Sequence, residues 1–189
     1  MTYKQLSAAG TTPVTRDEVK TWLKIDGTAE DALLDGINVA ATKWAEQFLG
    51  RTLLQGTWEY TASSFPQSSN GWIELLHGPV QSVDSVTYRT LGGGTGTWAG
   101  TSYQVDTNKE PARLRPVPSG LWPDEDDDYF NAVTVRYTVG YGTAQNTVPD
   151  GIKIGIKEAA AAMNEHRGED VHPKFAEVLL YPFRITTFR

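Results

Sequence analysis

Hydrophobic residues change their spacing twice along this chain of 189 residues, and the change limits the folds open to it. They recur every three to four residues over 14–50, every second residue over much of 53–142, and every three to four residues again over 148–167. The longer spacing is typical of amphipathic helices and the shorter one of half-buried strands. The pattern therefore predicts an α+β fold, in which a small three-helix bundle carries an inserted antiparallel β-sheet or small barrel.

The same pattern divides the chain into four parts. We predict that residues 1–52 hold the N-terminal helices of the bundle, that 53–147 form the inserted β-domain and that 148–168 form the third bundle helix. Residues 169–189 combine apolar and basic side chains with two prolines, which block a long helix. They are predicted to be an extended C-terminal tail that either folds back onto its own core or docks onto a partner.

Local signals mark the helix ends. Thr15 and Glu18 have the spacing of a capping box, which predicts that the first helix begins here, and it is expected to end near Gly27. The second helix, of about 20 residues, is expected to end at Gly50, since glycine readily adopts the left-handed conformation that closes a helix. Pro149 suits the first residues of the third helix, where no N–H is needed.

Between these helices, six short segments alternate apolar and polar residues. They are predicted to be strands because glycine- and proline-rich turns separate them. The segments are Thr57–Thr61, Trp72–Leu75, Val83–Tyr88, Ser102–Val105, Ala112–Arg115 and Val133–Val139.

Composition removes several classes of protein. The absence of cysteine excludes disulfide scaffolds, cysteine-based metal sites and thiol catalysis. The 23 acidic residues outnumber the 17 basic ones, and this disfavours a general DNA-coating role, which requires clustered Lys and Arg. The opening residues show no secretory signal, and the apolar runs are too short to span a membrane.

The sequence contains little evidence for known catalytic or ligand-binding motifs. The three histidines (His77, His166 and His172) lack the spacing of a metal site, and no G-x-S-x-G is present. Gly94–Ala99 fits the dinucleotide string G-x-G-x-x-A, but a strand-like segment follows it where phosphate binding needs a helix. We interpret it as a hairpin loop.

Two further groups of residues leave alternatives open. The acidic run 124–128 could hold Ca²⁺, but it lacks the EF-hand glycine and the terminal glutamate, so a solvated charged loop is favoured. The carboxylates of the strands could form a glycosidase pair, and the tryptophans could line a sugar site, although core packing explains both. These residues are Glu59, Glu74, Asp84, Trp58, Trp72, Trp98 and Trp122.

The order of seven segments carries a family resemblance. They are Val14–Lys20, Trp22–Asp26, Glu30–Leu34, Ala40–Arg51, His77–Val83, Val133–Gly142 and Val148–Lys153. Together they resemble the head–tail connector, or adaptor, proteins of tailed bacteriophages, from about residue 14 to residue 168. The third helix departs from the family pattern, because Ala159–Ala162 are small where bulkier residues are common.

The resemblance implies a structural virion protein, not an enzyme, with no cofactor and no metal. Such proteins form a homo-oligomeric ring, usually of twelve copies, between the portal protein and the stopper or tail-terminator protein. Double-stranded DNA passes through the ring without specific binding, and no membrane is involved. The expected location is the head–tail interface of the virion, after synthesis in the bacterial host cytoplasm.

With this resemblance as the basis, we predict roles for three sets of residues in this chain, and the third set rests on our own hypothesis that acidic faces lower DNA adhesion to the channel. Portal binding is expected of Leu180, Tyr181, Phe183, Arg184, Phe188 and Arg189. Ring contacts are expected of Trp22, Lys43, Trp44 and Lys153. The acidic residues expected to face the DNA channel are Asp124, Asp126, Asp127 and Asp128.

Two other functions remain open at this point. A carbohydrate-binding module or glycosidase is supported by the tryptophan-rich strands alone. Another neck protein, such as a stopper or tail terminator, also joins rings through β-rich surfaces, and its position in the particle would distinguish it from a connector.

Overall fold

The structure, a computed structural model, describes residues 1–68, 71–166 and 173–185. Helices and antiparallel sheets occupy separate parts of it, so the predicted α+β class is confirmed. None of the helices in these residues is both long enough and apolar enough to cross a membrane.

Two compact units make up the described chain. The sheet unit contains Met1–Ala8 and Gln55–Gly140, and the helical unit contains Ala9–Leu54 and the described residues from Tyr141 onwards. The inserted segment is therefore slightly shorter than the predicted 53–147. The first eight residues also differ from the prediction, because they join the sheet unit and not the N-terminal helices.

The described residues of the sheet unit form eight strands. They are β1 (Thr2–Ser7), β2 (Gly56–Ala62), β3 (Ile73–Leu75), β4 (Val80–Arg89), β5 (Thr95–Thr97), β6 (Tyr103–Asp106), β7 (Ala112–Pro116) and β8 (Val133–Val139). Five strands form one antiparallel sheet in the order β1-β2-β8-β4-β5, and three form a second in the order β3-β7-β6. Tyr60 of β2 lies opposite Val135 of β8, and both side chains are buried in the core of this unit.

The strands β1 and β5 were not among the predicted segments. β1 is an edge strand whose side chains are largely exposed, so its sequence lacks the apolar face that marks a buried strand. β5 pairs with β4 across a turn at Gly93, which has φ of 80°. The segment Gly94–Ala99, interpreted as a hairpin loop, therefore contains the second strand of a β-hairpin, and the loop itself precedes it. Gly96 contacts the Tyr88 ring, where a Cβ atom would lie 2.6 Å from Cζ.

The described residues of the helical unit contain four helices. They are α1 (Arg16–Leu23), α2 (Asp31–Leu49), α3 (Asp150–Glu165) and α4 (Lys174–Leu180). The capping box of α1 is confirmed: Glu18 N donates to Thr15 Oγ1 at 3.1 Å, and Thr15 N donates to Glu18 Oε2 at 2.7 Å. α1 ends at Leu23, before the predicted Gly27, and its C-cap Lys24 adopts the left-handed conformation. α2 ends at Leu49 and is capped by Gly50 as predicted, with φ of 65°.

The helix α4 corrects two predictions, the three-helix bundle and the extended tail. A helix of seven residues fits after Pro173, because proline is tolerated before the first turn. Pro182 falls in the 3₁₀ turn Tyr181–Phe183 that follows. Ala176 and Leu180, four residues apart on one face, are buried in the helical core, and this burial holds the segment against its own unit.

Candidate functional site

Two of the four predicted ring-contact residues lie at the surface of the helical unit. Trp22 keeps 41% of its surface exposed, and Lys157 Nζ lies 4.7 Å from the centroid of its ring. Lys43 is exposed and forms an ion pair with Glu46 at 2.8 Å. Both side chains can reach a partner.

The other two are engaged within their own unit. Trp44 is half-buried and stacks on Phe48, with 5.7 Å between ring centroids, and the Arg184 guanidinium lies 5.1 Å from the same Phe48 ring. The Lys153 side chain is only 15% exposed, and its Nζ lies 3.3 Å from Asp150 Oδ1. Their first role is to stabilise the helical unit.

The predicted portal-binding residues also include both buried and exposed side chains. Leu180 is fully buried, so in this conformation it is a core residue and not an exposed anchor. Phe183 is half-buried against the same core, and its carbonyl accepts a hydrogen bond from Arg51 Nε. Ile185 N donates to Leu49 O at 2.9 Å, which satisfies a carbonyl at the end of α2. The described part of the tail, residues 173–185, therefore folds back onto its own unit.

The opposite face of α4 is apolar and open. Phe175, Val178 and Tyr181 are 62%, 68% and 65% exposed, and their spacing of three residues places them along one side of the helix. We call these three residues the α4 ridge. Phe175 and Val178 were not predicted as anchors, although their spacing is visible in the sequence. Two further predicted anchors, Phe188 and Arg189, lie outside the described residues.

The acidic segment lies in the connection between β7 and β8, which we call the acidic loop (residues 121–131). Its base is fixed: Phe65 N donates to Glu125 Oε1 at 2.9 Å, and Asp126 Oδ2 lies 3.6 Å from Arg89 Nε. The Arg89 guanidinium also covers the Tyr129 ring, with 3.8 Å between Cζ and the centroid. Asp126 is therefore held by the sheet unit, whereas the other predicted channel residues, Asp124, Asp127 and Asp128, are exposed.

Large apolar side chains share this loop with the carboxylates. Phe130 is 93% exposed and Leu121 is 76% exposed. Repulsion of DNA does not require exposed apolar side chains, whereas contacts between proteins commonly use them.

A groove lies on the sheet β3-β7-β6, with a cavity of about 410 Å³. Its lining residues, which we call the small-sheet groove, are Trp72, Gln104, Val105, Asp106, Lys109, Arg113 and Arg115. Arg113 lies over the Trp72 ring, with 4.3 Å from Cζ to the centroid. This site was not predicted from the sequence, because alternating charged residues are also typical of an ordinary solvent-facing strand.

The tryptophans proposed as a sugar platform mostly pack together. Trp98 is 9% exposed, and its ring lies 5.3 Å from that of Trp122. Phe65 stacks on Trp122 at 5.1 Å, and Trp58 stacks on His77 at 3.7 Å. These contacts favour core packing over an exposed sugar-binding platform.

The carboxylates considered as a glycosidase pair form polar contacts with neighbouring side chains. Glu59 pairs with Arg136 at 2.8 Å, and Asp84 accepts from Thr138 Oγ1 at 2.9 Å. Glu74 Oε1 lies 3.4 Å from Trp72 Nε1. Within the described ranges, no group of three His, Asp or Glu side chains is arranged to hold a metal ion.

Two carboxyl groups of the helical unit have a lowered pKa. The backbone hydrogen bond from Thr15 lowers the pKa of Glu18, and the hydrogen bond from Lys20 lowers the pKa of Asp31. A general acid needs the opposite shift, so these groups serve the fold.

Comparison with known proteins finds a family match over part of the chain. Residues 14–90 match the sequence model of the family described as phage gp6-like head–tail connector protein. This range covers α1, α2 and the strands β2 to β4. The resemblance to head–tail connectors predicted from the sequence is confirmed. No curated protein matches the chain.

Solved structures share the fold over the whole chain. A chain in the neck of an empty GTA particle computed with C6 symmetry has a TM-score of 0.81 and 17% identity, covering 100% of this chain and 98% of that one. A chain in the virion of a native gene transfer agent particle gives 0.80 and 18%, and one in the native neck computed with C12 symmetry gives 0.78 and 18%, with the same coverage. At this identity the likeness establishes the fold.

Proposed function

We propose that this chain is a structural neck protein of a tailed phage or phage-like particle. In this proposal, twelve copies form a ring that joins the portal to the stopper or tail and continues the DNA channel, without catalysis or a cofactor. The observation that carries the proposal is the match of residues 14–90 to the connector family. The whole-chain likeness to neck proteins supports it, as do the carboxylates that pair with neighbouring side chains.

The net charge suits a passive DNA conduit. Each copy carries a formal charge of −6, so a ring would repel the phosphates of passing DNA and would lower its adhesion to the wall. Synthesis in the host cytoplasm followed by incorporation into the virion neck completes the proposal.

For the portal contact we propose the α4 ridge. Its exposed aromatic and aliphatic side chains are the kind that anchor protein interfaces. Arg184, which follows closely, is exposed and adds a positive charge at the edge of this surface. Leu180 and Phe183 hold the ridge in position, since both pack against the helical core.

The test uses surface substitutions, because removing the tail would also remove Leu180 from the core. The full chain is mixed with purified portal protein of the same particle, and complexes are isolated and imaged by electron microscopy. We expect a ring on the portal. Val178→Asp should abolish most of the binding, because it places a charge in an apolar contact.

Val39→Asp is the matched control, since Val39 is 52% exposed on α2 of the same unit and should tolerate the charge. Failure of the unaltered chain to bind the portal or to form rings would refute the connector function. Binding to the tail side alone would reassign the chain as a stopper or tail terminator. Equal binding by Val178→Asp and the unaltered chain would move the portal contact away from α4.

A further inference from the structure

The small-sheet groove carries more positive than negative side chains, since Lys109, Arg113 and Arg115 line it together with Asp106. Arg113 Nε is buried and has no hydrogen-bond partner within the described residues. Lys109 and Arg115 are exposed beside it. The three basic side chains outnumber Asp106 in the lining, so a carboxylate or another anionic oxygen entering the groove would be stabilised.

The groove is poorly suited to DNA. Cross-strand pairing places Asp106 on β6 and Glu74 on β3 on either side of Arg113. These carboxylates interrupt the positive charge, whereas a phosphate backbone is bound by continuous stripes of Lys and Arg. A mixed-charge surface with an exposed tryptophan is better matched to a short acidic peptide that also carries an aromatic residue.

The acidic loop of this chain has that composition. Its base is held by Glu125, Asp126 and Tyr129, through the contacts with Phe65 and Arg89. These anchors leave Asp127, Asp128 and Phe130 projecting at the surface, with Phe130 93% exposed.

We propose that the acidic loop of one copy enters the small-sheet groove of the next copy. The carboxylates of Asp127 and Asp128 would pair with Lys109 and Arg115, and Phe130 would cover Trp72. The two surfaces differ, so the contact is head-to-tail and can repeat from copy to copy until a ring closes. The inference rests on the ring of the proposed function and specifies one contact within it.

This contact changes the role predicted for the acidic residues. Asp127 and Asp128 would lie at a boundary between copies and not in the DNA channel. The exposed Phe130 then has a function, which a channel position does not give it.

The chain has no cysteine, so an engineered pair is unique and can test the contact. Asp127→Cys is mixed with Lys109→Cys, both as full chains, under mild oxidation. A disulfide forms only when the two Cα atoms approach within about 7 Å. We expect a heterodimer in several-fold higher yield than in a matched mixture of Asp127→Cys with Lys4→Cys, which replaces an exposed lysine on β1 of the same unit.

Equal yields in the two mixtures would overturn the inference. Comparable dimer formation by Asp127→Cys alone would also overturn it, because that result indicates a symmetric contact. The double variant should give a ladder of cross-linked species up to the full ring. Rings on the portal together with equal yields would leave the proposed function standing without this contact, whereas a cross-linked pair without rings or portal binding would support the contact and refute the connector function.

Discussion

Leu180 on α4 lies directly over Gly155 on α3. A Cβ atom at Gly155 would be 2.5 Å from Leu180 Cδ2 and 2.6 Å from Cγ, far inside van der Waals distance. We therefore expect Gly155→Ala to push α4 off the helical core and to lower the free energy of unfolding by about 1–3 kcal/mol. Urea denaturation followed by circular dichroism measures this change.

The control is the same substitution at Gly36, a helical glycine on α2 where an added Cβ atom would meet no other atom within 4 Å. Alanine is the better helix former, so Gly36→Ala should raise the free energy of unfolding by about 0.5–1 kcal/mol. If both variants raise it, Leu180 does not pack on Gly155.

The capping box of α1 predicts a dependence of stability on pH. The hydrogen bond from Thr15 N lowers the pKa of Glu18 below its ordinary value of 4.5. A carboxylate with a lowered pKa stabilises the fold at pH values above that ordinary value, and this contribution is lost as the pH falls through the folded-state pKa. The difference in unfolding free energy between the unaltered chain and Glu18→Gln should therefore be constant near neutral pH and should shrink below about pH 4.5.

Asp17→Asn is the comparison for this experiment, because Asp17 lies in the same first turn outside the capping box. It should have the smaller effect, since it loses only its interaction with the helix dipole. Thr15→Ala should cost about 1 kcal/mol through the lost cap. A pH-independent difference for Glu18→Gln would contradict the capping role.

The helices α1 and α2 could be predicted because their signals are local. Thr15 and Glu18 determine the start of α1 within four residues of sequence, and Gly50 determines the end of α2. The edge strand β1 could not be predicted, because its stability comes from pairing with β2, about 50 residues away, and not from an apolar face of its own. α4 was hidden by its flanking prolines, and only the burial of Leu180 against α3 shows why so short a helix persists.

The candidate sites also differ in how far the sequence predicts them, because local features are visible in it and contacts between distant strands are not. The acidic loop is visible in the sequence as a charge run, but the ion pair that holds Asp126 joins it to Arg89, on a distant strand. The small-sheet groove depends on cross-strand pairing, which brings Gln104 opposite Arg115 and Asp106 opposite Arg113. No spacing along the chain encodes these neighbours, so the groove emerges only with the sheet.

The aromatic cluster of the sheet unit separates core packing from sugar binding. Trp98 is 9% exposed and lies 5.9 Å from Phe65 and 5.3 Å from Trp122. Trp98→Ala should therefore lower the free energy of unfolding by about 3–5 kcal/mol. Trp72→Ala, at a site 45% exposed, should cost about 1 kcal/mol or less. Thermal unfolding of the two variants decides between the roles: a fully stable Trp98→Ala protein that loses binding on a glycan array would favour the carbohydrate-binding function.

Arg89 is the residue that holds the acidic loop. Its Nε lies 3.6 Å from Asp126 Oδ2, its carbonyl accepts from Asp126 N at 3.0 Å, and its guanidinium covers the Tyr129 ring. Arg89→Ala removes the two side-chain contacts and keeps the backbone one, so the loop should open more often while the sheet stays folded. We expect chymotrypsin to cleave after Tyr129 or Phe130 several times faster in this variant, measured by mass spectrometry of the fragments.

The matched control for this cleavage is Arg136→Ala, which removes an arginine that pairs with Glu59 on the same sheet unit. It should leave the rate of loop cleavage unchanged, because Arg136 lies on β8 and directs its guanidinium to Glu59 on β2. Equal acceleration by both variants would mean that general loosening of the sheet, and not the Arg89 contacts, controls the loop. An acidic loop released in this way should also cross-link less efficiently to Lys109→Cys, since a preorganised loop loses less conformational entropy on binding.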